Sequence, residues 1–251
     1  MNLEILGCSG GIGGSARTSC LMVDGHTLID AGSGAGDLAL AQIVKLDHVF
    51  LTHSHLDHCA FLPFVADARI GRRAEPLIVH ALPETWAALQ ACMFNGQLWP
   101  DYTRPDQPYV RFEPLRVHAP WVFEGGRVTP LPACHAVPAV GYHLEGRQAS
   151  FATSGDSTYC EAFWERLAGI GNLRWVMLEA TFLDEQQDRA HAAGHMTPGM
   201  IAQALARWAL PADVLIGHME PGREAAIIAQ FAAHAPRKAV IVARPGMTFE
   251  L

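Results

Sequence analysis

Paired cysteines, basic stretches and long apolar runs are all missing from this sequence. Its six cysteines (Cys8, Cys20, Cys59, Cys92, Cys134 and Cys160) are scattered, with no C-x-x-C pair. That speaks against a disulfide framework and fits a reducing compartment. No apolar run reaches the ~18 residues that a membrane span needs. The opening "MNLEILGCSG" has no basic segment followed by an apolar one, so no signal peptide is expected and a cytoplasmic protein is. Positive charge is scarce too. The formal net charge of −7 argues against general binding to nucleic acid or anionic membranes, which needs a basic face. An anionic substrate would then have to be attracted by local cations or by a metal.

What is present is apolar. Half of the 251 residues are hydrophobic and 17% are charged, enough to build a sizeable core and unlike a disordered chain. No low-complexity linker and no repeat interrupts the sequence, so one domain over 1–251 is expected. "LEILG" reads as a strand leading into the glycine loop "GCSGGIGG". That loop lacks the Lys-Ser/Thr of a P-loop and runs into a strand rather than a helix, so a phosphate cradle is set aside. Close backbone approach to a site is the better reading.

Two strands follow around Asp24-Gly25, then a short helix in "GDLALAQIV" and a strand in "LDHVFLTH". A helix is expected from Leu56 to Arg69, a strand in "PLIVHAL" and a helix in "PETWAALQACMF". From Asn95 to Gln107 the chain reads as an irregular loop carrying Trp99, Pro100, Tyr102 and Pro105. "YVRFEPLRV", "GRVTPLPACHAV", "VGYHLEG" and "ASFATSGDS" read as consecutive strands. Helix and strand then alternate: "CEAFWERLAG", "LRWVMLEATF", "TPGMIAQALARWA", "ADVLIGHM", "REAAIIAQFAAHA" and "KAVIVARPG". This order predicts an α/β fold, an αββα sandwich of two mixed sheets with helices on the outer faces.

The chemistry concentrates in "LDHVFLTHSHLDHCAFLPFV". An apolar strand runs straight into His53, His55, Asp57 and His58, four titratable groups within six residues. Desolvating them costs free energy unless something compensates, and a metal ion does so. His53 and His55 are two apart in an extended loop and point the same way; Asp57 and His58 turn toward a second position. Further ligands must come from elsewhere. His135, Asp156 and His218 each follow an apolar β run, which is how the first cluster is placed. Imidazole and carboxylate favour zinc, with manganese or iron as alternatives. Cys59 and Cys134 adjoin histidines but read as small buried hydrophobes.

H-x-H-x-D-H at 53–58, with His135, Asp156 and His218, resembles the metallo-β-lactamase-fold hydrolases over essentially the whole chain. That resemblance implies one metal on His53, His55 and His135, a second on Asp57, His58 and His218, and Asp156 bridging the two. It implies that Asp30 in "LIDAGSG" supports the histidine loop from behind. Aspartate at 156, where β-lactamases carry cysteine, speaks against antibiotic hydrolysis.

Within the superfamily, "AAGHMTPGM" resembles a segment of the phosphodiesterase branch, with His195 as the acid that protonates the leaving oxygen and Asp57 orienting the nucleophile. "MFNGQLWPDYTRP" and "HAVPAVGYHLE" resemble class II cyclic-nucleotide phosphodiesterases. By that resemblance Asn95 and Trp99 would meet a base and the chain would form a homodimer; Arg244 is expected to help the metals neutralise the phosphoryl charge. Cys59-Ala60 and the Pro245 of "ARPGM" depart from the family's pattern. Hydrolysis of 3′,5′-cyclic nucleotides (cAMP or cGMP) to 5′-monophosphates is thus expected. A tRNA 3′-processing endonuclease, a lactonase or thioesterase, and a non-catalytic nucleotide-binding module are the alternatives.

Overall fold

A computed structural model describes residues 1–104, 106, 108–234 and 239–251. Pro105 and Gln107 of the aromatic loop, Ala235 at the end of an expected helix and Lys238 at the start of an expected strand lie outside the described residues.

The strands are β1 Asn2–Gly7, β2 Cys20–Val23, β3 Thr27–Ile29, β4 His48–Phe50, β5 Leu77–Ala81, β6 Val110–Pro114, β7 Trp121–Phe123, β8 Gly126–Pro132, β9 Val140–Glu145, β10 Ser150–Thr153, β11 Leu173–Glu179, β12 Asp213–Gly217, β13 Val240–Val242 and β14 Thr248–Glu250. The helices are α1 Leu40–Ile43, α2 Leu56–Cys59, α3 Leu62–Arg69, α4 Pro83–Cys92, α5 Glu161–Ala168, α6 Gln187–Ala193, α7 Pro198–Arg207 and α8 Glu224–His234. One seven-stranded sheet runs β14-β1-β2-β3-β4-β5-β6 and the other β13-β12-β11-β10-β9-β8-β7. In the first, β3 to β6 are parallel and the rest antiparallel. In the second, β10 to β13 are parallel and β7 to β10 antiparallel. Both sheets are mixed, as the element order predicts.

Three apolar layers hold this together, and strand periodicity assigns residues to them. Successive side chains on a strand point to opposite faces. Leu28 and Val49 therefore enter the core under α1, α3 and α4, while their neighbours Ile29 and Phe50 enter the core between the sheets. Val214 and Ile216 pack beneath α5, α7 and α8, while Leu215 faces inward. Full burial of a side chain such as Phe50 contributes about 1.5–3 kcal/mol. Polar ties register the halves: Tyr142 donates its hydroxyl to the Leu51 carbonyl at 2.6 Å, and Val140 N–H donates to the Thr52 carbonyl at 3.0 Å.

Local expectations fail where a proline or an edge intervenes. The continuous helix expected from Leu56 to Arg69 is two pieces, α2 and α3. Pro63 has no N–H, and its ring would clash with the carbonyl of residue 59 in an unbroken helix. Phe61 N–H turns instead to the Ala31 carbonyl at 2.9 Å. "GDLALAQIV" is likewise a 3-10 turn over Ser33–Asp37 followed by the one-turn α1, because Leu38 and Ala39 are extended. Strands β7 and β14 and helix α6 lie outside the expected elements. Both strands are three residues long and sit at sheet edges, with too few residues to show alternation.

The C-terminal ends of β3, β4, β8, β10, β11 and β12 carry Asp30, Thr52-His53, His135, Asp156, Glu179 and His218. The register that sets Ile29 opposite Phe50 puts Asp30 beside Thr52. Among the described residues, no helix is long and apolar enough to cross a membrane.

Candidate metal centre

Strand ends deliver seven side chains to one place. The ligand-type atoms of His53, His55, His135 and Asp156 lie within 4.8 Å of one another, as do those of Asp57, His58, Asp156 and His218. Asp156 belongs to both sets and divides its oxygens between them. Oδ2 is 3.7 Å from His53 Nε2 and 4.0 Å from His135 Nε2. Oδ1 is 3.2 Å from both His58 Nε2 and His218 Nε2. Asp57 Oδ2 closes the second set, 3.2 Å from His218 Nε2 and 3.5 Å from His58 Nε2.

The backbone is bent to allow this convergence. Asp30 and His218 have positive φ, 61° and 54°. That conformation is uncommon outside glycine and clusters at functional sites. His218 N–H donates to the Cys8 carbonyl, so the glycine loop packs against the His218 loop. A Cβ on Gly10 would stand 2.8 Å from the His218 carbonyl oxygen, which confirms that this loop serves close backbone approach. Gly194, at φ 75°, permits another: its carbonyl accepts from His135 Nδ1 at 3.0 Å, and a Cβ there would meet Ala136 N at 2.8 Å.

These donors suit a divalent cation better than they suit one another. His53 Nε2 and Asp156 Oδ1 are buried without a hydrogen-bond partner. Such orphaned buried groups cost free energy unless an ion or water meets them. Ring nitrogens also confront each other, His55 Nδ1 with His135 Nε2 at 3.1 Å and His58 Nε2 with His218 Nε2 at 3.3 Å. The clusters are compatible with a divalent metal centre. Burial raises the pKa of the Asp156 carboxyl, but the surrounding histidines, His218 foremost, outweigh that and hold it well below the usual range. Burial lowers His58 and His218, yet Asp156 and the other facing carboxylates prevail and raise both. Burial, aided by the neighbouring His58, His135 and His55, outweighs Asp156 and drives His53 well down.

His195 stands at the rim, its ring stacked 5.6 Å from that of His218 and edge-on to that of His135 at 5.0 Å. Its Nδ1 is 2.7 Å from Glu179 Oε1. Glu179 is 2% exposed; it also accepts from the N–H groups of Ser157, Thr181 and Met196 and from the Thr181 hydroxyl. Burial lowers the His195 pKa, and the Glu179 carboxylate foremost, with Asp156 and Asp57, more than offsets it, for a net rise. Asp30 lies behind the first cluster, accepting from His58 Nδ1 at 2.7 Å and from Thr52 N–H at 2.8 Å.

Glu179, Thr181 and Thr52 were not among the sequence candidates. Glu179 carried the signal that picked out His135 and His218, a polar residue ending an apolar strand, whereas the two threonines carried none. Asn95, Trp99 and Arg244 do not belong to either ligand cluster. Asn95 spends its amide on its own turn, accepting from Gln97 and Leu98 N–H and donating to the Ala91 carbonyl. Trp99 packs on Phe64, ring centroids 4.9 Å apart, against the outer core of the first sheet. Arg244 is exposed and lines a cleft with Cys8, Arg17, Met219 and Glu224. His191 is exposed on α6 beside Gln187. All six cysteines are free, and Cys59 is buried with its Sγ directed to the His55 carbonyl.

A family model described as the beta-lactamase superfamily domain matches residues 26–234. Ribonuclease Z of Pseudomonas putida is 33% identical over 152 residues, 57% of this chain and 46% of that protein. The chain thus spans about half the length of that curated relative. Among solved structures, unliganded yeast PDE1 superposes with a TM-score of 0.80 at 16% identity, over 100% of this chain and 99% of that one. The metallo-beta-lactamase fold protein YhfI from Bacillus subtilis gives 0.77 at 18% identity, over 99% and 98%. At such identities these two likenesses speak to the fold.

Proposed function

The chain belongs to the beta-lactamase superfamily, as a metallo-β-lactamase-fold hydrolase, and from that premise we propose that it is a two-metal phosphodiesterase acting on 3′,5′-cyclic nucleotides. The observation that carries the proposal is the pairing of His195 with Glu179 beside the double cluster. Cleaving the bond between phosphorus and the 3′ oxygen of a cyclic nucleotide leaves an alkoxide that needs a proton, and an imidazole backed by a buried carboxylate supplies it.

His53, His55 and His135 would hold one ion, Asp57, His58 and His218 the other, with Asp156 shared between them. Divalent ions bound there, zinc by the donor set or else manganese or iron, supply charge for the phosphoryl oxygens and ionise a water near neutral pH. The rest falls to the chain. Asp57, the most solvent-facing carboxylate of the set, orients the attacking water by accepting its hydrogen bond. Glu179 fixes Nδ1 of His195 as a donor, so the other nitrogen, Nε2, presents its proton to the leaving ribose oxygen. The carboxylate also keeps that ring charged toward neutral pH.

The net charge of −7 favours a small substrate over a long polyanion. Whole-chain likeness to yeast PDE1 accords with this reading. A second reading, cleavage at the 3′ side of precursor tRNA, has its own support in the relatives named ribonuclease Z. Side-by-side assays of the metal-loaded protein on cyclic AMP, cyclic GMP, precursor tRNA and acyl esters decide between them. Release of 5′-monophosphates with intact precursor tRNA is the expected result. Cleaved precursor tRNA with untouched cyclic nucleotides would transfer the assignment to the second reading, and turnover of acyl esters alone would remove both.

A further inference from the structure

Two threonine hydroxyls stand behind the clusters, one at each sheet, in the same hydrogen-bonding role. Thr52 Oγ1 lies 3.0 and 2.9 Å from the two oxygens of Asp30, 3.0 Å from His53 Nδ1 and 3.2 Å from His58 Nδ1. Thr181 Oγ1 lies 2.8 Å from Glu179 Oε2, 3.0 Å from His218 Nδ1 and 3.2 Å from His195 Nδ1. Both threonines are buried.

A hydroxyl has one proton and two lone pairs, and a carboxylate only accepts. Each threonine must therefore give its proton to the carboxylate. Its two lone pairs are left to accept, and the groups facing them are imidazole nitrogens. Those nitrogens have to be N–H donors. As neutral ligands, His53, His58 and His218 consequently carry their one proton on Nδ1 and leave Nε2 free for an ion. Nε2 of each ring is the atom that faces Asp156. The same logic accounts for the orphaned Nε2 of His53, whose other nitrogen is committed to Thr52.

We propose that Thr52 and Thr181 are positioning residues of the metal centre: with Asp30 and Glu179 they form two carboxylate–hydroxyl clamps, each keeping two histidines protonated on Nδ1. The Thr52 clamp prepares His53 and His58, one ligand for each ion. The Thr181 clamp prepares the ligand His218 and at the same time the proton donor His195, so one hydroxyl couples a metal ligand to the acid. The inference rests on reading the clusters as a metal centre and is indifferent to which ester is cleaved.

The test uses the full chain with Thr52→Val, Thr181→Val, Thr52→Ser and Thr181→Ser. Valine keeps the shape and deletes the hydroxyl; serine keeps the hydroxyl. One readout is zinc affinity by competition with a chromophoric chelator. The other is the tautomer of each histidine, from two-bond proton–nitrogen correlations on 15N-histidine-labelled protein loaded with zinc. Nδ1–H tautomers for His53, His58 and His218 are expected in the unsubstituted protein, with zinc affinity about 10–100-fold weaker in each valine variant and nearly restored in each serine variant. Bare Nδ1 on those rings, or valine variants that bind zinc as tightly as the unsubstituted protein, would overturn the clamps. If a valine variant fails to fold, the tautomers of the unsubstituted protein and the serine affinities decide alone. Correct tautomers and affinities in a protein inert toward cyclic nucleotides would keep the clamps and retire the proposed substrate.

Discussion

His195 Nδ1 and Glu179 Oε1 meet at 2.7 Å, with the carboxylate buried and accepting five hydrogen bonds in all. Charge-assisted hydrogen bonds of this kind are stronger than neutral ones, and here one nitrogen of the ring is spoken for. Replacing His195 by Ala should leave metal content unchanged and lower kcat by about 10²–10⁴. Metal analysis and steady-state kinetics on one preparation check this; full turnover, or loss of metal, would take His195 out of the acid's role.

Glu179→Gln separates charge from shape. The carboxylate raises the His195 pKa against the opposing effect of burial. Without it the pKa falls, and less of the ring is protonated at a given pH. The alkaline limb of the kcat profile, where the acid loses its proton, should move to lower pH, with KM little changed. An unmoved limb would mean that Glu179 serves packing alone.

Asp156→Asn tests the bridge. Oδ1 and Oδ2 face different histidine sets, so one carboxylate is asked to serve two ions. Asparagine keeps the volume but offers one carbonyl oxygen and no charge, while leaving the buried histidines without their anion. Metal stoichiometry by mass spectrometry should fall by about half or more, and turnover with it. Retention of full metal content would show that Asp156 is not shared.

How far the sequence reveals the centre depends on locality. His53, His55, Asp57 and His58 fall within six residues and can be read directly. His135, Asp156 and His218 can be read because each ends an apolar run. Glu179 ends such a run too, in "LRWVMLEATF", and the same rule extended to glutamate would have found it. Thr52 and Thr181 are different. A threonine beside a strand is ordinary, and its role appears only when the register that pairs Ile29 with Phe50 brings Asp30 across. The αββα layering was legible because strand alternation and helix alternation are long-range patterns. Three-residue edge strands were not, because they are too short to alternate; the break between α2 and α3 was written in Pro63, which falls in the interior of the helix expected from Leu56.

Asn95 follows α4 and has a local structural role. Its side chain satisfies three backbone groups of its own turn. Asn95→Ala should therefore lower stability by about 1 kcal/mol and leave KM for cyclic nucleotides unchanged. Denaturant unfolding and initial rates measure the two effects; a raised KM at unchanged stability would return Asn95 to the substrate.

His80, which belongs to neither cluster, offers a pH signature of its own. It is 4% exposed, stacks on Phe50 at 4.1 Å and bonds to His48 through Nε2 at 3.0 Å. Burial drives its pKa from 6.5 down to about 3. The sign follows from proton counting. Between those two values the unfolded chain takes up a proton that the folded chain refuses, so acid stabilises the unfolded state. The contribution of neutral His80 is complete above pH 6.5 and is lost progressively as pH falls toward 3. The loss amounts to roughly 1.4 kcal/mol per pH unit within that window. His80→Gln removes the titration, so the stability of the variant should fall less steeply with acid than that of the unsubstituted protein. Measuring both with chelator present cancels the common effect of metal release. Parallel curves from pH 6 to 4 would show that His80 is charged in the folded protein, and the stacked pair with Phe50 would then have to accommodate an imidazolium.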